Sequence, residues 1–485
     1  MTKAENGKTY SDLVYKKKVE KLCLRTAIDW IAQKQREFYF RDRKKFDNHF
    51  YPWELFYFAH HVLRYAKGKS KNIHNVFAYF HNHYRELPDP NMIDGKLDVF
   101  KFFYVTAFQQ FGLQKGMDGL KSKIARQRYF LKALEKEYSR ILGFEAVAYN
   151  EISFFIWSIL RGDARQNFIF GPKNFEIFYE KYGEEAVVKY LEVTSSSISE
   201  LKKSIQKIED YRDFTPFYKS PLTVIDGQHW CLSPHLFDYL MSDFTYDLIR
   251  DPKNHPNGPA MFGRVFDEYC EKRLSGVFGE DYINEKELIK LVGKRSKVVD
   301  GVVSEDKKTP IYIEYKACQT PKFLRLEPSP AEFIRNFSKT IIKAVAQGYH
   351  THQVLTEKKV VAGEFRLIIV TYKDMFLGSG ESSWAEFLEV GLNTLHPEIP
   401  TKDINPANIF FIDIDSLDHL MTVIKKTTLV TLLQRIQDRF KAHKLFHVAQ
   451  VIPSLINEFG RTNLADLDEL FDETVNACIS LIKDD

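Results

Sequence analysis

Two neighbouring segments place acidic and basic side chains at a spacing that suits metal-assisted chemistry. Asp300 lies in KVVDGVV, and Glu314 and Lys316 lie in IYIEYKA. Both segments have the apolar, β-branched composition of strands, and the intervening SEDKKTP favours a turn. A turn centred near Lys307 sets Asp300 opposite Glu314 in an antiparallel pair. The sequence therefore predicts a hairpin that brings two carboxylates together.

The chemistry expected of this hairpin is hydrolysis of a phosphodiester. Side chains alternate along a strand, so Glu314 and Lys316 share a face, about 7 Å apart. Opposed carboxylates repel unless a cation lies between them, and Mg²⁺ (or Mn²⁺) prefers oxygen ligands and keeps coordinated water. Such an ion supplies a nucleophilic water, and Lys316 would orient or deprotonate it. The alternative is a solvated hairpin in which Glu314 and Lys316 only pair with each other.

The two segments resemble the motif of the PD-(D/E)xK nuclease superfamily, in which Asp, Glu and Lys occupy the positions of Asp300, Glu314 and Lys316. Val299 stands where the motif's name has proline. The resemblance spans roughly residues 260 to 420. It implies a restriction-endonuclease-like α/β core, a mixed sheet flanked by helices, that binds Mg²⁺ or Mn²⁺ through its carboxylates.

The resemblance also implies functional residues on two helices. An acidic residue is expected on the preceding helix, GRVFDEYCEKRL, where Glu268 falls at the edge of the apolar stripe and Glu271 points nearly opposite. We therefore predict Glu268 as a third metal ligand. Gln347 in KAVAQGYH is predicted as the glutamine that similar nucleases carry on the following helix.

Basic residues flank the hairpin on both sides, as an anionic polymer would require. The predicted nucleic-acid-binding residues are Lys294, Arg295, Lys297, Lys322 and Arg325. Further basic runs lie near Lys16 to Lys18 and at Lys67, Lys69 and Lys71; such runs are usually solvated faces of helices. The formal charge of +4 is too small to predict a nucleic-acid partner by its sign.

The elements that position these residues follow from the hydrophobic pattern. A chain of 485 residues exceeds the usual size of one core, so several domains are expected. We predict a protein of mixed class, with both α+β and α/β character. Its predicted parts are a helical N-terminal domain (1–212), a hairpin and helix connector (213–255), the nuclease domain (256–420) and C-terminal helices (421–485). Within the connector, Asp226-Gly227 favours a tight hairpin turn, and a helix follows from about His235 to Ile249.

Several classes of protein are disfavoured. The five cysteines are widely spaced and form no CxxC pair, so neither a zinc site nor a disulfide framework is predicted. The sequence lacks the apolar core of a signal peptide and any run of about 18 apolar residues, so we expect a cytoplasmic protein that does not enter a membrane. Asp413 and Asp415 are weak metal candidates, since Asp415 or Ser416 is expected to cap the next helix.

The expected function is that of a Mg²⁺-dependent nuclease acting on DNA, the commoner substrate in the superfamily. A large helical region joined to such a nuclease is similar to bacterial anti-phage defence proteins, which implies control by a sensing partner or by formation of a homo-oligomer. Two alternatives remain: an RNA endonuclease of the same fold, including one that cleaves tRNA, and a catalytically inactive protein that binds nucleic acid or a partner.

Overall fold

The protein is a mostly helical α+β chain with two small mixed sheets, of four and five strands. A computed structural model describes residues 10–40, 52–85, 92–93, 96–97, 100, 104, 120–162, 169–205, 216–293, 297–306, 309–321, 324–325, 328–443 and 447–483. The chain divides into two compact units. The first comprises Met1–Lys96, Gln109–His255 and Glu469–Asp485, and the second comprises Leu97–Phe108 and Pro256–Asp468.

The first unit is mainly helical. Its helices are α1 (Tyr10–Glu20), α2 (Leu24–Phe40), α3 (Pro52–Tyr65), α4 (Ile73–Arg85), α5 (Leu120–Ala133), α6 (Glu135–Leu142), α7 (Ala146–Gly162), α8 (Tyr179–Tyr182), α9 (Glu184–Thr194), α10 (Ile198–Ile205), α11 (Pro234–Leu240) and α12 (Phe244–Arg250). Short 3₁₀ segments cover Pro172–Phe178 and Pro216–Tyr218. Aromatic residues of α3 and α4, including Phe58, Phe77 and Phe80, are buried in its core because they recur on one face of each helix.

The four-stranded sheet of the first unit has the order β3-β6-β5-β4. Its strands are β3 (Ile169–Phe170), β4 (Ser195–Ser197), β5 (Leu222–Ile225) and β6 (Gln228–Cys231), and β1 (Met92–Ile93) pairs with β2 (Lys96–Leu97) elsewhere. The predicted hairpin is confirmed, since β5 and β6 are antiparallel and both turn residues, Asp226 and Gly227, have positive φ. The predicted single helix is instead divided into α11 and α12.

The second unit surrounds a five-stranded sheet with helices. Its helices are α13 (Gly258–Phe278), α14 (Glu285–Val292), α15 (Pro330–Phe337), α16 (Lys343–Glu357), α17 (Gly380–Ser383), α18 (Glu389–Leu395), α19 (Ile414–Ile424), α20 (Leu429–His443) and α21 (Val448–Phe459). The last helix is α22 (Ala465–Lys483). The boundary between the two units lies within it, because the second unit ends at Asp468 and the final segment of the first unit begins at Glu469. Short 3₁₀ segments cover Gly279–Asp281, Thr401–Asp403 and Pro406–Asn408, and π-helical turns cover Ser338–Ile342 and Trp384–Leu388.

The five strands are ordered β11-β10-β9-β8-β7. They are β7 (Tyr282–Asn284), β8 (Gly301–Val303), β9 (Ile311–Lys316), β10 (Leu367–Thr371) and β11 (Ile409–Asp413). The strands β7, β8 and β9 are antiparallel neighbours, whereas β9, β10 and β11 run parallel, so the sheet is mixed. The parallel strands are buried along their whole length apart from Lys316, as expected when helices cover both faces.

Side chains on opposite faces of β9 contact different elements of the second unit. The Tyr312 hydroxyl lies 3.1 Å from His352 Nδ1 on α16, whereas Tyr315 points the other way and its hydroxyl lies 2.9 Å from that of Tyr282. Glu314 and Lys316 are on the Tyr312 side because side chains alternate. Among the described residues, no helix is both long and apolar enough to cross a membrane.

The predicted register of the hairpin that leads from Asp300 to Glu314 is confirmed. Gly301 pairs with Ile313, and Val303 pairs with Ile311, which is the pairing expected from a turn near Lys307. The first strand is shorter than predicted, since residues 298–300 lie outside β8. Gly301 is required at the start of β8, because a Cβ there would lie 2.5 Å from the Tyr282 ring of the neighbouring strand.

The close approach of Gly301 to Tyr282 gives a first test. We expect Gly301→Ala to lower the free energy of unfolding by about 1–3 kcal/mol, since the added methyl forces β7 and β8 apart. Urea denaturation checks this. Gly276→Ala in α13 is the matched control: a Cβ there meets nothing within 4 Å, so this change should be neutral or slightly stabilising. Equal stability of the two variants would contradict the packing described.

Candidate active site

Asp300 and Glu314 meet at the end of the hairpin. Asp300 directly precedes β8, so extending the ladder by one residue sets it opposite Glu314. The Asp300 Oδ2 atom accepts a hydrogen bond of 2.6 Å from the backbone N–H of Tyr315. In return, the backbone N–H of Asp300 acts on the Glu314 carboxylate and favours its charged form. The Asp300 carboxylate is therefore held by the backbone of the residue after Glu314, and the Glu314 carboxylate interacts with the backbone of Asp300.

Helix α16 fixes the segment that leads into Asp300. The backbone N–H of Val299 donates to Thr351 Oγ1 at 3.2 Å, and Gln347 Nε2 donates to the Val298 carbonyl at 3.2 Å. These side chains replace the sheet hydrogen bonds that the segment lacks, which explains why the predicted strand is shortened. Gln347 thus supports the segment that leads into Asp300, and so does Thr351, which sequence reasoning missed.

The Glu314 carboxylate is buried, and the surroundings of its two oxygens differ. Its exposed fraction is 1%, and burial raises the pKa of its carboxyl to about 8; the charge of Asp300 acts in the same direction, whereas Lys316 lowers it. The Oε2 atom is buried and, among the residues that the structure describes, has no hydrogen-bond partner. An unpartnered buried carboxylate oxygen is costly, and a cation beside it would remove that cost.

Lys316 is the cation nearest to Glu314, and its Nζ contacts Glu314 Oε1. Burial by itself lowers the pKa of Lys316, but Glu314, Asp300 and Asp267 outweigh burial and raise it. In the metal-free protein the amine is therefore protonated and compensates the carboxylates. The amine can act as a base only if another cation balances the negative charge of the carboxylates, because these charges keep its pKa raised.

On α13, the residue whose charge interacts with Asp300 and Lys316 is Asp267, the neighbour of the predicted ligand Glu268. Asp267 is half-buried, and its pKa is raised to about 7 by burial and then by the charge of Asp300, with Lys316 opposing. The Glu268 side chain is exposed. Consecutive helical residues point about 100° apart, so these two flank the apolar stripe on opposite sides.

Further charges surround the site. Glu285, the first residue of α14, has a pKa raised by burial and then by Asp300 and Glu271. Lys343, the first residue of α16, favours the charged form of Asp300, although burial raises the pKa of that carboxyl overall. The described part of the site is therefore more acidic than basic, which favours a cation over an anion as its ligand.

The donor set fits a hard divalent ion held by few protein ligands. Within the described residues, no group of three or more His, Cys, Asp or Glu side chains is arranged to hold a metal on its own. Mg²⁺ is commonly bound through one or two carboxylates, water and the phosphates of a substrate. Asp300 and Glu314, with the unpartnered Oε2 atom, suit that mode, and Asp267 lies close enough to interact electrostatically with Asp300.

The predicted nucleic-acid-binding residues are only partly described. Lys297 is exposed, whereas Arg325 donates from Nε and Nη2 to the Thr320 carbonyl, at 3.2 and 3.0 Å, and so supports its own loop. Lys294, Arg295 and Lys322 lie outside the described residues. The capping prediction at β11 was wrong, since the Asp413 side chain, instead of Asp415 or Ser416, accepts from the backbone N–H of Ser416 at the start of α19.

Comparison with known proteins gives no family or fold assignment. The sequence matches no family model, and searches of curated proteins and of solved structures find no match. The geometry of Asp300, Glu314 and Lys316, and the charges around them, are therefore the features that bear on function.

The raised carboxyl pKa values predict a pH-dependent response to metal. Without metal, Glu314 and Asp267 hold protons that the unfolded chain releases, so their contribution to stability is complete below a pH of about 4 and is lost as the pH rises towards about 8. A divalent cation at this site would bind the charged forms of the carboxylates. We expect saturating metal to raise Tm by several degrees at a pH of about 8.5, and by much less at about 5.5, where protons compete.

Differential scanning calorimetry with metal or with EDTA measures this difference. Asp300→Asn is the matched variant, because it removes one charged ligand and leaves the side-chain volume nearly unchanged. Its Tm should not respond to metal at either pH. A wild-type metal response that is equal at both pH values would exclude a site built on these carboxylates.

Proposed function

We propose that this protein is a Mg²⁺-dependent nuclease of the PD-(D/E)xK type, with a restriction-endonuclease-like core formed by β7 to β11 and their helices. The proposal is carried by one observation: the hairpin register sets Asp300 opposite the buried Glu314, whose Oε2 atom has no partner, and Lys316 contacts the other oxygen. The mixed sheet flanked by helices is consistent with this core, and so is the order of its elements.

Each side chain has a distinct part in the proposed reaction. A bound Mg²⁺ (or Mn²⁺) polarises the scissile phosphate and supplies an activated water. Asp300 and Glu314 would hold the ion, and Asp267 would add negative charge beside it. Lys316 would orient the attacking water and stabilise charge on the phosphate oxygens. Gln347 and Thr351 keep the Asp300 backbone in place.

The proposed substrate is DNA, with RNA, including tRNA, as the alternative. Both polymers present the same phosphodiester to such a site, so the hairpin favours neither. DNA is proposed because it is the commoner substrate of the nucleases that this motif resembles. A role in anti-phage defence, under the control of a sensing protein or of self-association, is proposed on the same resemblance.

The nuclease assay is the direct test. Purified protein is incubated with labelled duplex DNA, single-stranded DNA and RNA, including tRNA, with Mg²⁺, Mn²⁺ or EDTA. We expect metal-dependent cleavage that falls at least about 100-fold in Glu314→Ala and Lys316→Ala, because each removes charge stabilisation at the reacting phosphate. If the wild-type protein cleaves no substrate but binds nucleic acid, the inactive alternative is favoured. In that alternative, Lys316 remains ion-paired with Glu314.

Two adjacent helix residues provide a sharper comparison. Asp267→Asn should lower the cleavage rate about 10–100-fold, because it removes a charge that interacts with Asp300 and Lys316. Glu268→Gln should change the rate by no more than about twofold, as for an exposed residue away from the site. Single-turnover rates at saturating metal measure both effects. A larger loss of rate in Glu268→Gln than in Asp267→Asn would instead support Glu268 as the ligand.

A further inference from the structure

Two basic segments that are far apart in the sequence lie side by side in the first unit. The connection between α1 and α2 contains Lys21, Leu22 and Cys23, and the connection between α3 and α4 runs from Lys67 to Lys71. Leu22 and Ser70 form an isolated parallel β-bridge. Helix packing in the first unit thus joins two basic runs that the sequence gives no reason to pair.

Backbone hydrogen bonds fix this arrangement. The N–H of Cys23 donates to the Ser70 carbonyl at 2.9 Å, and the N–H of Ser70 donates to the Lys21 carbonyl at 2.8 Å. The N–H of Gly68 donates to the Leu22 carbonyl at 3.0 Å. A Cβ on Gly68 would lie 2.2 Å from the Lys21 carbonyl oxygen, so only glycine permits this approach. The two loops form one rigid surface.

The exposed side chains on these loops are predominantly cationic. We define the paired-loop surface as Lys17, Lys21, Lys67, Lys69 and Lys71, all of which are exposed. The acidic residue nearest in sequence is Glu20, whose Oε1 lies 3.8 Å from Lys67 Nζ, an exposed pair of little energetic weight. Helix α2 begins at Leu24, beside the loops, so its N-terminal dipole adds positive potential.

We propose that the paired-loop surface binds the phosphate backbone of nucleic acid. A fixed cluster of exposed lysines attracts a polyanion through release of its counterions, without reading sequence. An anionic membrane is a weaker candidate, because none of the large exposed hydrophobic residues of the described chain lies in α1 to α4 to insert into lipid. The choice of nucleic acid among polyanions rests on the proposed nuclease function, whereas the surface itself belongs to the first unit alone.

Binding is measured without cleavage, by fluorescence anisotropy of a labelled DNA duplex in EDTA across a salt series. The test variant is the triple change Lys21→Gln, Lys69→Gln and Lys71→Gln. The control is Lys136→Gln, Lys173→Gln and Lys203→Gln, which removes the same charge from three exposed lysines elsewhere in the first unit. We expect the test variant to bind about 10–100-fold more weakly and to lower the slope of log K against log salt by about 3. The control should change both far less.

A second variant tests the arrangement separately from the charge. Gly68→Ala keeps every lysine but pushes the two loops apart, so it should also weaken binding, while circular dichroism confirms that the helices remain. Equal affinities and salt slopes for the wild type and both triple variants would overturn the proposal. Binding of wild type to vesicles containing phosphatidylserine, but to neither DNA nor RNA, would overturn it in favour of a membrane surface.

Failure of this proposal is distinguishable from failure of the nuclease proposal. If the wild type binds DNA through the lysines but never cleaves it, the surface stands and the nuclease proposal falls. If it cleaves DNA and the triple variant binds normally, the surface falls alone.

Discussion

A pairing of only three residues on each strand, between Gly301–Val303 and residues 311–313, decides where the charged groups of the candidate site lie. It brings Asp300 and Glu314 together at a buried edge, an arrangement that is unfavourable for two carboxylates unless positive charge compensates it. Lys316 provides that charge in the metal-free protein. Removing one partner of a buried ion pair commonly costs about 3–5 kcal/mol, so all three side chains must be present together.

The hairpin was predictable because its determinants are local. Alternation of side chains and a polar turn are enough to set a two-strand register, and the structure has that register. The acidic helix residue was not predictable in the same way. Asp267 and Glu268 both flank the apolar stripe, and only the packing of α13 decides which of them approaches Asp300. The shortened first strand has a similar origin, since Gln347 and Thr351 reach its backbone from a helix distant in sequence.

Contacts between distant segments account for the rest of what sequence missed. The lysines of the α1–α2 and α3–α4 connections appear in the sequence as ordinary solvated runs, and nothing in either run indicates the other. Their proximity depends on the bridge between Leu22 and Ser70 and on the absence of a side chain at Gly68. The predicted helical character of the N-terminal region and its hairpin at Asp226-Gly227 needed no such information, because periodicity and turn chemistry determine both.

The π-helical turn Ser338–Ile342 has a consequence for how this region tolerates change in length. Such a turn accommodates one residue more than an α-helical turn, so it sets the angular phase between α15 and α16. Upstream, Phe333 and Phe337 face Phe387, whereas downstream Gln347 and Thr351 face the segment before Asp300. Loss of a single residue there would regularise the helix and leave the two sets of contacts nearly in phase, because the wider turn already absorbs one extra residue. A one-residue deletion should therefore disturb the fold less in this turn than elsewhere in α15 or α16.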